Sequence, residues 1–200
     1  MVESPYDGLP ESKWSEKTKD LIEKFPLDPE LLVNTVLESW NDIFEIKIGK
    51  EEVVIGRDIF PKPQIIGFFL HELIPLKISN YDKNWSVDND VSEKDLVYLP
   101  NNYYSVEIKT SSNPKKIFGN RSYAQETQTD KKDKSGYYLA INFEKIDGRN
   151  KPKIVMIRFG WLDHSDWIGQ KAQSGQQSHL PPSVEKNKLM VLYAFGHTNI

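Results

Sequence analysis

The chain reads as an α/β (α+β) protein: a central mixed β-sheet flanked by helices, with further helices at the N-terminus. Apolar residues recur at helical spacing in the first half, and in the second half they gather into short apolar or alternating runs. Helices first, then a strand hairpin, then helix–strand alternation is the order expected of a sheet covered by helices. The 200 residues suit one domain, 1–200, and no internal repeat or low-complexity linker divides it. Within it, residues 1–11 read as a loose tail, 12–60 as an N-terminal helical part and 61–200 as the core.

Taken in order, Trp14, Leu21, Ile22 and Phe25 predict a first helix that Pro26 stops. Asp28-Pro29 reads as an N-cap followed by Pro at the first helical position. Leu31, Leu32, Val36, Trp40, Ile43 and Phe44 form the stripe of the second helix. Residues 45–56 suit a short hairpin. A third helix starts after Pro63, with Ile65, Ile66, Phe69, Leu70 and Leu73 as its apolar side. Asp95–Leu99 and Tyr103–Ser111 are read as strands around the turn Pro100-Asn101-Asn102. Asn120–Thr129 is expected to be helical and residues 130–136 a loop. Gly136–Glu144 and Lys153–Leu162 are apolar enough for central strands. Asp163–Gln173 is expected as another helix and Lys188–Phe195 as a late strand.

Composition excludes several classes. There is no cysteine, so disulfides and thiolate zinc sites are impossible. No apolar run approaches the roughly 20 residues of a membrane span, so no membrane partner is expected. The N-terminus lacks the pattern of a signal peptide, and a cytoplasmic location is expected. The four histidines show no HExxH spacing, and no G-x4-GK[ST] loop is present, so neither zinc nor a nucleotide cofactor is expected. Residues 1–100 carry 11 Lys and Arg against 20 Asp and Glu, a net −9; residues 101–200 carry 15 against 9, a net +6. A basic half beside an acidic half is a hint of nucleic-acid binding.

The segment from Asp95 to Lys109 carries the chemistry. Strand alternation projects Glu107 and Lys109 together while Val106 and Ile108 face the core. If Leu99 pairs with Tyr103 around a three-residue loop, Asp95 lies opposite Glu107, with Cβ atoms about 4.5–5.5 Å apart. A two-residue turn would shift the register and turn Asp95 to the wrong face. Two carboxylates so close need a cation between them, and hard oxygen ligands suit Mg²⁺, with the Ile108 carbonyl as a further ligand. Lys109 could hold an attacking water and offset charge on a phosphodiester transition state. The other reading is a salt-bridged hairpin. Glu72 falls four residues after Phe68 and three after Phe69, on the apolar side of its helix. There it is either a further catalytic or metal-binding carboxylate or a salt-bridged residue at the stripe's margin.

The stretches KDLVYLPNNYYSVEIKTSSN, KIFGNRSYAQ, KSGYYLAINFEK and IRFGWLDHSDWIGQ followed by SGQQ, across about residues 64–180, resemble the PD-(D/E)XK nuclease superfamily. Within it they are most similar to type II restriction endonucleases of the ScaI-like group. The resemblance implies a restriction-endonuclease-like core, Mg²⁺, a homodimer, cleavage of double-stranded DNA at a short palindrome, and Asp95, Glu107 and Lys109 as the catalytic centre. Lys94 stands where the motif's Pro would be.

Lys115, Lys116, Asn120 and Arg121 closely follow the Glu107–Lys109 strand, with Gln125 in the same block. Lys131, Lys132 and Lys134 follow in the loop. Such residues can neutralise phosphates. Gln170, Lys171, Gln173, Gln176 and Gln177 form either a base-reading segment or a polar surface loop. A palindromic site requires a two-fold dimer, for which the N-terminal helices could supply the interface. A structure-specific repair nuclease and a non-enzymatic DNA-binding module remain as alternatives.

Overall fold

The computed structural model describes residues 3–124, 133–148, 151–171 and 175–196. Helix α1 spans Trp14–Glu23 and ends before Pro26. Helix α2 spans Pro29–Ile43; the Asp28 carboxylate accepts the Glu30 N–H at 2.8 Å, and Pro29 starts the helix as expected. Strands β1 (Lys47–Ile48) and β2 (Val53–Val54) pair as the expected small hairpin. Helix α3 spans Pro63–Tyr81. Then come β3 (Trp85–Val87), β4 (Leu96–Tyr98), β5 (Val106–Ser111), β6 (Phe118–Asn120), β7 (Gly136–Phe143) and β8 (Ile154–Leu162). Strands β9 (Ile168–Gly169) and β10 (Gln177–His179), helix α4 (Pro182–Asn187) and β11 (Met190–Ala194) complete the order. Among the described residues, no helix is long and apolar enough to cross a membrane.

The main sheet has the strand order β11-β8-β7-β5-β4-β3, and β5–β7 is its parallel pair, so it is mixed as predicted. Its two faces follow the strand period. On β7, Tyr137, Leu139, Ile141 and Phe143 enter the larger core with α1, α2 and α3, whereas Tyr138 and Ala140 enter a second core with Trp167, Leu180 and Val184. Glu107, Lys109 and Arg158 belong to that second face, because Val106, Ile108, Ile157 and Phe159 occupy the first. Gly160 lets the backbone of Lys188 approach: a Cβ at residue 160 would stand 2.0 Å from the Lys188 carbonyl oxygen.

Several expectations are corrected. The chain from Asn120 does not start a helix: Asn120 ends β6, which pairs with β10, and Arg121–Ala124 makes a single 3₁₀ turn. Residues 125–129, with Gln125, lie outside the described residues. Nor is the described part of Asp163–Gln173, residues 163–171, a helix. Asp163 and Asp166 close one turn as a capping box, and the chain then extends into β9. Lys188 pulls on both carboxylates there, fixing the short turn from 22 to 25 residues away. A second sheet, β6-β10-β9, results, and neither it nor α4 was foreseen. The tail is anchored rather than loose: Tyr6 is buried, its hydroxyl 2.8 Å from Thr18 Oγ1, and the Ser4 hydroxyl donates to Asp163 at 2.9 Å. The β4–β5 connection is longer than three residues and contains a 3₁₀ turn at Asn102–Tyr104, so Leu99 and Tyr103 do not pair. The register nevertheless matches the prediction, since Leu96 pairs with Val106.

Candidate active site

That register puts Asp95, the residue before β4, at the level of Glu107. Strands β4 and β5 diverge beyond their pair, and the Ile108 N–H is taken up by Asp95 Oδ2 at 2.6 Å. On the other edge of β5, pairing with β7 runs from Val106 to Ser111 and holds the strand straight. Val106 and Ile108 are fully buried on the core face, so Glu107 and Lys109 must share the opposite face. Glu107 is itself buried. Its Oε1 accepts from Lys109 Nζ at 2.5 Å and from the Tyr123 hydroxyl at 2.5 Å. Lys109 Nζ also reaches the Tyr123 oxygen at 2.9 Å and sits 4.5 Å above its ring. Burial first, and then the neighbouring Glu107, push the Tyr123 hydroxyl far above its ordinary pKa, so it stays a proton donor.

Asp95 has a second neighbour. His71 Nδ1, from α3, lies 3.5 Å from Asp95 Oδ2. Helix α3 can come this close to β5 because Gly67 packs on Thr110: a Cβ there would be 2.4 Å from Thr110 Oγ1. His71, Glu72 and Asp95 all line one cleft of about 810 Å³. Glu72 does not sit on the apolar side of α3; it is exposed. Ile66, Leu70, Ile74 and Ile78 form the buried stripe at four-residue spacing, and Glu72 falls about 200° around the helix from Leu70. Tyr123 and His71 were missed by sequence reasoning. Tyr123 lies inside the GNRSYAQ block, but its role depends on a contact 16 residues away.

The oxygens available to a divalent cation here are the Asp95 and Glu107 carboxylates and the Ile108 carbonyl. Among the described residues, no group of three or more His, Cys, Asp or Glu side chains could hold a metal by itself. Two carboxylates with a backbone oxygen, of which Asp95 lines the cleft and Glu107 is buried behind it, still match how Mg²⁺ is held: few protein ligands, with waters and substrate phosphate oxygens completing the shell.

Lys115 and Lys116 are exposed on a loop after β5. The loop is held from below. Arg158, almost wholly buried, donates to the Lys115 carbonyl at 2.7 Å and to Asn142 Oδ1 at 3.1 Å. Asn142 Nδ2 in turn donates to the carbonyls of Asn113 and Lys116 at 2.7 and 3.0 Å. Arg121 is half-buried; its N–H bonds Gln176 and its guanidinium bonds the Gly175 carbonyl. Asn120, Gln170, Lys171, Gln176 and Gln177 are exposed on or beside the second sheet, and Lys134 bonds the Ser122 carbonyl. Gln173, Lys131 and Lys132 lie outside the described residues.

The model of the ScaI restriction endonuclease family matches residues 4–193, a longer stretch than the motif blocks marked out. The type II restriction enzyme ScaI of Streptomyces caespitosus is 48% identical over 198 residues, covering 97% of this chain and 86% of that protein. No solved structure matches.

Proposed function

The chain belongs to the ScaI restriction endonuclease family, and on that premise we propose that it is a Mg²⁺-dependent enzyme of the PD-(D/E)XK type. It hydrolyses double-stranded DNA at a short palindromic sequence and acts as a homodimer. The observation that carries this reading is the β4–β5 register, which brings Asp95 to the Glu107-Ile108-Lys109 strand at a cleft. Asp95, Glu107 and the Ile108 carbonyl would hold the metal. Bound there, Mg²⁺ polarises the scissile phosphate and acidifies water.

The chain's own residues do the rest. Lys109 holds the attacking water and offsets charge as phosphorus becomes pentacoordinate. The water oxygen bonds to phosphorus and gives up a proton to solvent, one P–O ester bond breaks, and the departing sugar oxygen takes a proton from solvent. Tyr123 donates to Glu107 and keeps both β5 side chains in line. His71 faces Asp95 from the helix, and Glu72, lining the same cleft, is kept as a candidate catalytic carboxylate. Lys115, Lys116, Arg121 and Lys171 contact phosphates, and Asn120, Gln125, Gln170, Gln173, Gln176 and Gln177 contact the duplex. A palindromic target supports a two-fold dimer, because the symmetry of the site mirrors that of the protein.

The test is incubation of plasmid and phage DNA with the purified protein in Mg²⁺ or in EDTA. Discrete, reproducible fragments in Mg²⁺ alone are expected, and mapping their ends gives the site. A Mg²⁺-dependent smear, or cutting confined to branched DNA, would replace this reading with a structure-specific nuclease. No cleavage of any DNA with any divalent metal would overturn it.

A further inference from the structure

The second sheet carries a pattern that the chain order conceals. Asn120 pairs with Gln177, and Phe118 with His179, across β6–β10. His179 pairs with Ile168 across β10–β9. One position further, the Gln170 N–H bonds the Gln177 carbonyl at 2.9 Å, so Gln170 stands opposite Gln177. By strand alternation these six residues share one face. Their register makes two rows across three strands: Asn120–Gln177–Gln170, three carboxamides, and Phe118–His179–Ile168, two apolar side chains around an imidazole.

The opposite face is made of small residues. Gly119 and Ser178 are buried, and a Cβ at Gly119 would stand 3.1 Å from the Tyr123 ring and 3.2 Å from Trp167. The sheet therefore lies directly on Tyr123, whose hydroxyl bonds Glu107. Its outer face is open: Asn120, Gln177 and Gln170 are exposed. Phe118 and Gln177 line the same cleft as Asp95 and His71, and both also line a smaller hollow of about 240 Å³ with Lys116 and Gln170.

We propose that this outer face reads base edges in the DNA major groove, with the carboxamide row directed at adenines and Phe118 and Ile168 at thymine methyls. The proposal rests on the endonuclease reading and adds the reading surface and the bases it selects. Asn and Gln carboxamides match the N7 acceptor and N6 donor of adenine in a bidentate pair, and apolar side chains match the thymine methyl. A small β-ribbon fits the major groove. Three strands at about 4.8 Å spacing make a row about 10 Å long. Against a rise of about 3.4 Å per base pair, that row covers three to four base pairs. Lys116 at the margin and the exposed Lys115 and Lys171 supply the charge that holds the phosphates beside such a groove. Because Tyr123 joins the underside of this sheet to Glu107, docking the outer face on bases also sets the position of the catalytic strand.

The test uses duplexes carrying the cleavage site mapped for the wild-type protein, with each adenine replaced in turn by 7-deazaadenine, which lacks the N7 acceptor. Wild type, Asn120→Ala, Gln170→Ala and Gln177→Ala are compared under single turnover, with thermal melts to verify that these surface variants fold. At one or more adenines the analogue is expected to slow wild type by roughly 10- to 100-fold and to add nothing in the matching variant, whose preference over single-mismatch sites falls by a similar factor. If every variant keeps the wild-type preference, or the analogue's penalty persists unchanged in all three, the base-reading assignment is wrong while the endonuclease reading stands. If wild type yields no discrete fragments from any DNA, the endonuclease reading fails and takes this inference with it.

Discussion

Replacing Lys109 by alanine is expected to slow Mg²⁺-dependent cleavage about a thousand-fold or more while DNA binding changes by no more than a few-fold. The ammonium contacts Glu107 at 2.5 Å, and it reaches into the proposed centre from the strand that carries the proposed metal ligand. Its charge matters most when phosphate oxygens gain negative charge, which is why the loss falls on the chemical step. In the proposed mode, binding is carried elsewhere, on the exposed lysines and the second sheet. Removing a cation beside a buried carboxylate also threatens the fold. Lys109→Met, which keeps the stem, and a thermal melt separate an unfolded variant from an inactive one. Single-turnover cleavage and fluorescence anisotropy on the same duplex check the split, and a folded Lys109→Met that cleaves like wild type removes Lys109 from the mechanism.

Replacing Lys188 by alanine is expected to destabilise the protein by about 3–5 kcal/mol at pH 7. Its ammonium is buried, 2.9 Å from Asp163 Oδ2 and 2.8 Å from Asp166 Oδ1, and it lies 4.4 and 4.6 Å from the Tyr6 and Trp14 rings. One side chain thus joins the turn after β8, the end of α4 and the N-terminal stretch. Without it, two carboxylates face each other out of water. At a few degrees per kcal/mol for a chain of this size, the melting temperature should fall by roughly 10 °C or more. The deficit should depend on pH. Burial, as the largest influence, raises the Asp166 carboxyl above its ordinary value, and Lys188 holds it down. A carboxyl raised in the folded state contributes stability below its unfolded pKa and loses it as pH rises through the folded one. Deleting Lys188 widens that loss, so the variant should lie closer to wild type near pH 5 than at pH 7. Calorimetry at the two pH values checks this; equal deficits would show that the carboxylates are solvated without Lys188.

Both predictions bear on how much the sequence discloses. Helix α2 is legible because local chemistry and core packing agree: Asp28-Pro29 caps it, and Leu32, Val36 and Trp40 repeat at the helical period. Strands β7 and β8 are legible as long apolar runs, although burial on both faces hides which residue meets which core. The expected β4–β5 register rests on a Leu99–Tyr103 pairing that does not form, whereas the shared face of Glu107 and Lys109 is legible from alternation alone, because Val106 and Ile108 require the core. The loop that closes the hairpin is not, since Asn101, Asn102 and Ser105 stabilise a longer turn through their own side chains.

The second sheet was hidden for a different reason. Its strands are two or three residues long, come from three separate segments and carry Gly119 and Gly169, so neither length nor periodicity marks them. The stretch after Asp163 looks helical because it is a capped polar turn, and only Lys188, far along the chain, shows that the turn stops. Tyr123 and His71 become visible beside Glu107 and Asp95 only when the turn after β6 and helix α3 are folded onto β5. Glu72 was misplaced because it was set by its spacing from Phe68 and Phe69, but Phe68 is itself exposed and the buried stripe runs along Ile66, Leu70, Ile74 and Ile78, which turns Glu72 to the solvent.

The central claim is that the β4–β5 register builds a catalytic centre from Asp95 and Glu107. The most direct measurement is single-turnover cleavage of the mapped site by wild type and Asp95→Asn, which keeps the shape of the side chain and removes its charge. The account predicts Mg²⁺-dependent cleavage by wild type and a loss of about a thousand-fold or more in Asp95→Asn, with an unchanged melting temperature and retained DNA binding. A folded Asp95→Asn that cuts at the wild-type rate would contradict it.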